Sequence, residues 1–156
     1  MRRLSVLVAA GLIAATLIAL VSAGGASARS KNYTAIALSR STVLTTSADA
    51  VSKNQAANKA WSKCDSAAYQ DRPDLYNGDC EIAVWVKNGW AAVAFEGTVE
   101  GPPFAPSWGA GYGHTRSEAQ AAAKAGCEPG AQEPCTVDRT ERTPYFDPSL
   151  PTRAGR

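Results

Sequence analysis

Residues 81–96 read EIAVWVKNGWAAVAFE, and this stretch carries the strongest structural signal in the chain. Two runs of alternating side chains flank the dipeptide Asn88-Gly89. An Asn-Gly connection between two such runs predicts a type I′ β-hairpin, because both central positions of that turn need a positive φ. We therefore expect Glu81–Lys87 to pair with Trp90–Glu96.

Successive side chains of a strand point to opposite faces, so the alternation sorts this hairpin into two faces. The face expected to form the core holds the larger apolar residues Ile82, Val84, Val86, Ala91, Val93 and Phe95. The other face carries Trp85 and Trp90, which would lie one diagonal step apart, with Lys87 beside them. Exposed aromatic patches are typical of binding surfaces. Three interpretations of the two tryptophans follow. They are core residues of the monomer, or they form a surface for a dimer or another partner, or they form a surface for a small ligand.

The rest of the chain shows internal similarity around this stretch. Residues 33–38 (YTAIAL) resemble residues 90–95 (WAAVAF). Two Ala-rich stretches, 52–64 and 115–127, each begin with a hydroxyl residue and end with a cysteine, and a further cysteine follows each of them. The pattern predicts a tandem duplication of two β-β-α-β units.

The Ala-rich stretches are expected to be helices because alanine has the highest helix propensity. Ser52 and Thr115 are the predicted N-caps, and Glu118 completes a capping box with Thr115. The fold class is therefore α+β: an antiparallel sheet with two helices packed mainly on one face, over residues 33–139. Residues 140–156 contain three prolines and no apolar period, which predicts a disordered tail.

The N-terminus predicts a signal peptide over residues 1–28. Arg2 and Arg3 precede an apolar run from Leu4 to Val21, and small residues follow up to Ala28. This order is typical of a cleaved secretory signal, although the run is just long enough to be a membrane anchor instead. We expect export to the cell envelope or the outside of the cell, with no membrane contact after cleavage. Removing Arg2 and Arg3 balances the charges, which does not favour nucleic acid as a partner.

The four cysteines lie in the part that would be exported, where an even number predicts disulfides. Three pairings are possible, and the internal similarity favours Cys64 with Cys80 and Cys127 with Cys135. Their spacing matches no usual zinc pattern. We therefore expect neither a metal ion nor a cofactor.

Candidate catalytic groups are few, and we assign no catalytic residue. His114 is the only histidine, and no nucleophile motif accompanies it. Paired carboxylates in an acidic loop could serve a hydrolase. Oxygen ligands in the same loop could hold calcium, although solvated charges are the simpler interpretation. The loop residues concerned are Asp65, Asp71, Asp74, Asn77 and Asp79.

Several of these segments together resemble a known family. They are the start Tyr33-x-Ala-Ile-Ala-x-Ser39, the Ala-rich helix ending in Cys64, the strand Cys80-x-Ile-x-Val-Trp-Val86 and the strand x-Ala-Ala-Val-Ala94. Over residues 33–137 the chain is similar to the bacterial secreted family called domain of unknown function 4189. The resemblance implies an exported domain with paired cysteines. It implies no activity and no catalytic residues.

The expected function is that of a non-catalytic binding module with a protein or envelope partner. The surface we expect to carry it is Trp85, Trp90 and Lys87, which could also form a homodimer through an open sheet face. The alternative is a secreted hydrolase that uses the acidic loop residues.

Overall fold

The computed structural model of the chain describes residues 32–97 and 107–156. The predicted signal peptide lies outside the described residues. The described elements, in chain order, are β1 (Tyr33–Ser39), β2 (Leu44–Ala50), α1 (Lys53–Asp71), β3 (Glu81–Lys87), β4 (Trp90–Glu96), β5 (Trp108–Gly113), α2 (Arg116–Cys127), a short 3₁₀ turn (Glu128–Gly130), β6 (Cys135–Arg142) and β7 (Arg153–Gly155).

The strands form two antiparallel sheets, with the orders β2-β1-β3-β7 and β5-β4-β6. The predicted α+β class is confirmed, and each half of the chain has the predicted β-β-α-β order. The strands are divided between two sheets, however, rather than joined in the single sheet we expected. In each sheet the first strand of its half occupies the centre.

Two helices cover the outer faces of the two sheets, one helix on each sheet, so they do not share one face as expected. The reason is the size of the side chains on either side of the central strands. Alanines of β1 and β4 face the helices, where a small side chain lets a helix approach closely. The larger residues meet between the sheets; among them are Ile36, Leu38, Val84, Val86, Val93 and Phe95.

The helix ends follow the sequence signals. The Ser52 side chain accepts a hydrogen bond from the Gln55 amide, and Thr115 forms the predicted capping box with Glu118. Both helices bury small residues against their sheet, which confirms that alanine, rather than a large apolar face, docks them. The buried residues are Ala56, Ala60, Cys64 and Ala68 of α1, and Ala119, Ala123 and Cys127 of α2.

The Asn88-Gly89 connection is a crossing between the sheets, so the predicted hairpin is wrong. β3 pairs with β1 and β7, whereas β4 pairs with β5 and β6. Asn88 has a φ of 53°, but Gly89 is not in the left-handed region that a type I′ turn also requires there. Asn88 is buried, and its amide group bonds the backbone of Asp147 and Leu150. The conformation of this turn is therefore stabilised by contacts with the C-terminal segment.

Each sheet contains one β-bulge, which lies in the strand after its helix, opposite the same place in the central strand. The register shifts between Ile36 and Ala37 in the first sheet, and between Val93 and Ala94 in the second. The extra residue of β3 is Ala83, which lies between the sheets, whereas Ile82 packs on the α1 side. A bulge adds one residue to one strand and reverses the alternation beyond it. This reversal explains why Ile82 lies on the face opposite to the predicted one.

The C-terminal segment is structured, in contrast to the disordered tail we predicted for residues 140–156. Its first residues complete β6, Thr143 is fully buried, and β7 pairs with β3. The His114 ring anchors the segment, with Nδ1 3.2 Å from Thr152 Oγ1 and Nε2 3.0 Å from the Pro148 carbonyl. Side-chain hydrogen bonds thus replace the apolar period that the sequence lacks there.

The disulfides join Cys64 to Cys80 and Cys127 to Cys135, as the internal similarity predicts. No cysteine in the described part of the chain is free. Each bridge ties the last turns of a helix to the start of the next strand of its own sheet.

Candidate functional site

Trp85 and Trp90 lie on different sheets, so they do not form the shared patch that we expected. Trp85 packs on the α1 side of the first sheet, and Trp90 packs on the α2 side of the second. Within residues 32–97 and 107–156, each sheet has one face against the other sheet and the other against a helix. The open sheet face that we expected to carry these residues is therefore not present there.

Trp85 belongs to a surface cluster of two aromatic rings and two lysines, which we call the Trp85 cluster: Tyr33, Lys53, Trp85 and Lys87. The Tyr33 and Trp85 ring centroids are 6.2 Å apart. Lys53 Nζ lies 4.7 Å from the centroid of the Trp85 ring, and Lys87 Nζ lies 5.4 Å from that of Tyr33. Each ammonium group is within the range of cation–π attraction.

Strand pairing and a helix start bring these residues together. Tyr33, the first residue of β1, lies opposite Lys87 of β3. Ala35 lies opposite Trp85, and its small side chain leaves room for the indole ring. Lys53 is the first residue of α1 and is exposed. The cluster therefore lies where the end of the first sheet meets the N-terminus of α1.

The two lysines of the Trp85 cluster are available to an anionic partner. The salt bridges of the described residues lie elsewhere, between Arg40 and Glu81 and between Arg139 and Glu141. An ammonium group next to an aromatic ring can bind a carboxylate or phosphate while the ring packs against apolar parts of the same ligand.

The Trp85 indole N–H is buried and has no hydrogen-bond acceptor. Gly155 of β7 covers it so closely that a Cβ at this glycine would lie 3.3 Å from Nε1. A buried donor without an acceptor costs about 1–3 kcal/mol. Such a group in a folded protein calls for an explanation.

Trp90 has a cation partner of its own on the other side of the molecule. It is partly buried, and the Arg142 guanidinium lies 5.5 Å from its ring centroid. Trp90 occupies the first position of β4, as Tyr33 does in β1. The second sheet thus has a single aromatic–cation contact at the corresponding place.

The acidic loop residues have structural contacts at two of their positions. The Asp79 carboxylate accepts hydrogen bonds from Ser39 Oγ at 2.6 Å and from the Ser41 amide at 2.8 Å. Burial alone would raise the pKa of Asp79, but these bonds outweigh it and hold the pKa below its ordinary value. Asp65 accepts a hydrogen bond from the Tyr76 hydroxyl. Burial and then this bond raise the pKa of Tyr76 to about 12.

The remaining acidic candidates do not complete a metal site. Asp71, Asp74 and Asn77 are exposed. In the part of the chain that the structure describes, no group of three or more His, Cys, Asp or Glu side chains is arranged to hold a metal ion.

Sequence reasoning found Trp85 and Lys87 but missed Tyr33 and Lys53. The similarity between residues 33–38 and 90–95 was the available signal for Tyr33, because it places Tyr33 at the position of Trp90. Lys53 has no such signal, since an exposed lysine near a helix start is ordinary.

Among the described helices, neither combines the length and the apolar character that crossing a bilayer requires.

The fold and the cluster define a small, disulfide-bonded α+β domain with helices outside two packed sheets. The family described as Domain of unknown function (DUF4189) matches residues 33–141, and the chain belongs to this family. The resemblance inferred from the sequence motifs is thereby confirmed. No curated protein and no solved structure matches the chain.

Proposed function

We propose that the protein is an exported, non-catalytic binding module that contacts an anionic protein or envelope partner through the Trp85 cluster. The observation that carries this proposal is the pair of lysines beside two packed aromatic rings, at 4.7 Å and 5.4 Å from the ring centroids. Aromatic residues are enriched at protein interfaces and contribute much of the binding energy there.

Export is supported by two independent features. The sequence of residues 1–28 has the order of a secretory signal. Two disulfides join the four cysteines, and disulfides persist mainly in oxidising compartments. The domain would therefore act at the cell envelope or outside the cell.

A tandem duplication is part of the same proposal. Both halves have the same order of elements, the same central strand and a bulge at the same place. The buried helix residues Ala56, Ala60 and Cys64 correspond in order and spacing to Ala119, Ala123 and Cys127.

A non-catalytic role is supported by the occupation of the reactive groups. The cysteines are in disulfides, and both ring nitrogens of His114 contact oxygen atoms of the C-terminal segment. Asp65 and Asp79 are bound by Tyr76 and by the β1–β2 turn. A hydrolase that used Asp65, Asp79 or His114 would have to release these contacts first.

The experiment is capture from an envelope extract on immobilised residues 29–156, which contain every described element. The chain is compared with Lys53→Gln/Lys87→Gln and with the control Lys59→Gln/Lys124→Gln, which removes two exposed lysines elsewhere on the two helices. We expect the control to capture the same partner as the unchanged chain. The cluster variant should capture at least tenfold less at an unchanged melting temperature, and equal capture by all three chains would refute the proposal.

A further inference from the structure

The edge of β3 that does not pair with β1 pairs with β7 over three residues only. Gly155 lies opposite Trp85, Ala154 opposite Val86 and Arg153 opposite Lys87. The strand β3 itself spans Glu81–Lys87, so β7 pairs with less than half of it. We call the position that β7 occupies beside β3 the β7 seat.

The first residue of β7 fits this seat poorly. Arg153 is exposed and lies directly opposite Lys87, so two positive side chains face each other across the strand pair. Like charges in directly opposed positions destabilise a strand pair, whereas opposite charges stabilise it. An acidic residue at the position of Arg153 would match Lys87.

The last residue of β7 leaves the buried Trp85 indole N–H without an acceptor. There is little room for a side chain at Gly155, because a Cβ there would lie 3.3–3.4 Å from the indole atoms. β7 thus covers the indole N–H but offers no acceptor for its hydrogen bond.

Two other contacts show which chain conformation the seat accepts. Ala154 packs against the cluster between the sheets, beside its partner Val86. Beyond the strand, the Arg156 guanidinium lies 5.2 Å from the Trp108 ring centroid. The seat therefore takes an extended chain with a small apolar residue opposite Val86 and a glycine-sized residue opposite Trp85.

We propose that this edge of β3 is a docking surface for an extended segment of another polypeptide that carries an acidic residue opposite Lys87. β7 fills the seat when that partner is absent and leaves it when the partner adds its own strand to the sheet. Strand addition supplies affinity through main-chain hydrogen bonds and specificity through alternate side chains. The inference rests on the proposed binding role of the Trp85 cluster and names the chemistry of its partner.

A second copy of this chain is a less suitable occupant. Its C-terminal segment would bring the same Arg153 to Lys87 and the same Gly155 to Trp85. An exchange of β7 between copies would therefore leave the charge mismatch between Arg153 and Lys87 in place.

The test uses residues 29–156 and two fluorescent decapeptides: the chain's own residues 147–156, and the same peptide with Arg153→Glu. We expect fluorescence anisotropy to show saturable binding of the Glu peptide, at least fivefold tighter than that of the unchanged peptide. The reason is the charge of Lys87, so a Lys87→Glu chain should reverse the order of the two peptides.

Two further full-domain variants test whether β7 competes for the seat. Gly155→Val places a branched side chain against the indole ring and should expel β7, which makes the Glu peptide bind at least threefold tighter. Arg153→Glu within the chain should strengthen the contact of β7 and weaken peptide binding by a similar factor.

Failure of the Glu peptide to bind both the unchanged chain and the Gly155→Val chain overturns this inference, as do equal affinities of the two peptides. A Gly155→Val chain that dimerises and no longer binds the peptide also overturns it and assigns the edge to a second copy.

The extract experiment distinguishes failure of this inference from failure of the proposed function. If capture depends on Lys53 and Lys87 but the peptide does not bind, the cluster remains a binding surface and strand addition is refuted. Peptide binding together with capture that is indifferent to Lys53→Gln/Lys87→Gln removes the cluster as the wider surface.

Discussion

Asp79 links three parts of the first half of the chain through one carboxylate. It accepts hydrogen bonds from Ser39, the last residue of β1, and from Ser41 in the turn between β1 and β2, and it directly precedes the disulfide cysteine Cys80. Ser39 is fully buried, so its hydroxyl depends on this acceptor. The residue that looks like a solvated acid in the sequence therefore holds a turn in place.

We predict that Asp79→Asn lowers the free energy of unfolding at pH 7 by about 1–3 kcal/mol, the usual range when a charged acceptor is lost. Chemical denaturation at pH 7 measures this change. Asp74→Asn, an exposed change in the same loop, is the matched control and should leave stability unchanged.

The same residue gives the unchanged chain an acid-dependent stability. Because the folded pKa of Asp79 lies below its ordinary value, its contribution is present above the unfolded pKa of about 3.9 and is lost as the pH falls through the lower folded value. The stability difference between the unchanged chain and Asp79→Asn should therefore shrink below about pH 4. A constant difference between pH 7 and pH 2 would contradict this assignment.

At the scale of the elements, the sequence predicts the features that depend on neighbouring residues and does not predict the pairing of distant strands. The helices, their caps and the faces of most strand residues follow from neighbours within a few positions, and they agree with the structure. The pairing of β3 depends on β1, some fifty residues earlier in the chain, and on β7 at its end. The Asn88-Gly89 signal describes only the turn, and the C-terminal segment overrides it.

The candidate site divides in the same way. Trp85 and Lys87 stand out because they interrupt an apolar strand. Tyr33 and Lys53 join them only through the pairing of β1 with β3 and through the packing of α1. The bulge at Ala83 is likewise invisible in the alternation, since both Ile82 and Ala83 are apolar.

The contact of α2 with β5 depends on glycine. A Cβ at Gly111 would lie 2.3 Å from the Ala123 amide nitrogen, and one at Gly109 would lie 2.2 Å from the Ala123 carbonyl oxygen. Both distances are much shorter than a van der Waals contact. The atoms concerned belong to the helix backbone, which cannot move aside as a single side chain can. The helix thus lies directly on the backbone of the strand.

We predict that Gly111→Ala lowers the free energy of unfolding by about 1–3 kcal/mol, the usual cost of overpacking, because α2 must move away from its sheet. Gly126→Ala is the control on the helix side of the same contact, since its Cβ would meet its nearest neighbour at an ordinary 3.5 Å. It should stabilise the domain by about 0.5–1 kcal/mol through helix propensity. Thermal unfolding of both variants measures the two opposite changes, and a neutral Gly111→Ala would show that the helix is not held this closely.

At the scale of the whole molecule, a polar contact joins the edges of the two sheets. Thr45 of β2 donates a hydrogen bond to Asp138 of β6, and Arg139 Nε donates to Thr45 Oγ1 at 2.9 Å. Arg139 also bonds Glu141, which accepts a hydrogen bond from Ser47. Asp138 is the extra residue of the second bulge. The polar end of β6, an edge strand of the second sheet, thus closes one side of the two packed sheets.

We predict that Thr45→Val lowers the free energy of unfolding by about 1–2 kcal/mol, because Thr45 is 5% exposed and its replacement removes the hydrogen bonds that Asp138 and Arg139 form with its hydroxyl. Hydrogen exchange should rise by the same factor, about 5–30-fold, in the central strands of both sheets, since the layer between them is shared. Thr136→Val, an exposed change on β6, is the control. Faster exchange confined to the first sheet would show that the sheets unfold separately.

Each disulfide closes within its own half of the chain, and this has a consequence for the order of biosynthesis. Cys64 and Cys80 lie 16 residues apart, and both have been synthesised well before Cys127. At ribosomal rates of about 5–20 residues per second, the 47 positions from Cys80 to Cys127 give a delay of roughly 2–9 seconds. A chain that enters an oxidising compartment N-terminus first can close its first bridge when no wrong thiol is yet within reach. In such a chain the order of synthesis favours the pairing of Cys64 with Cys80 over the two crossed pairings.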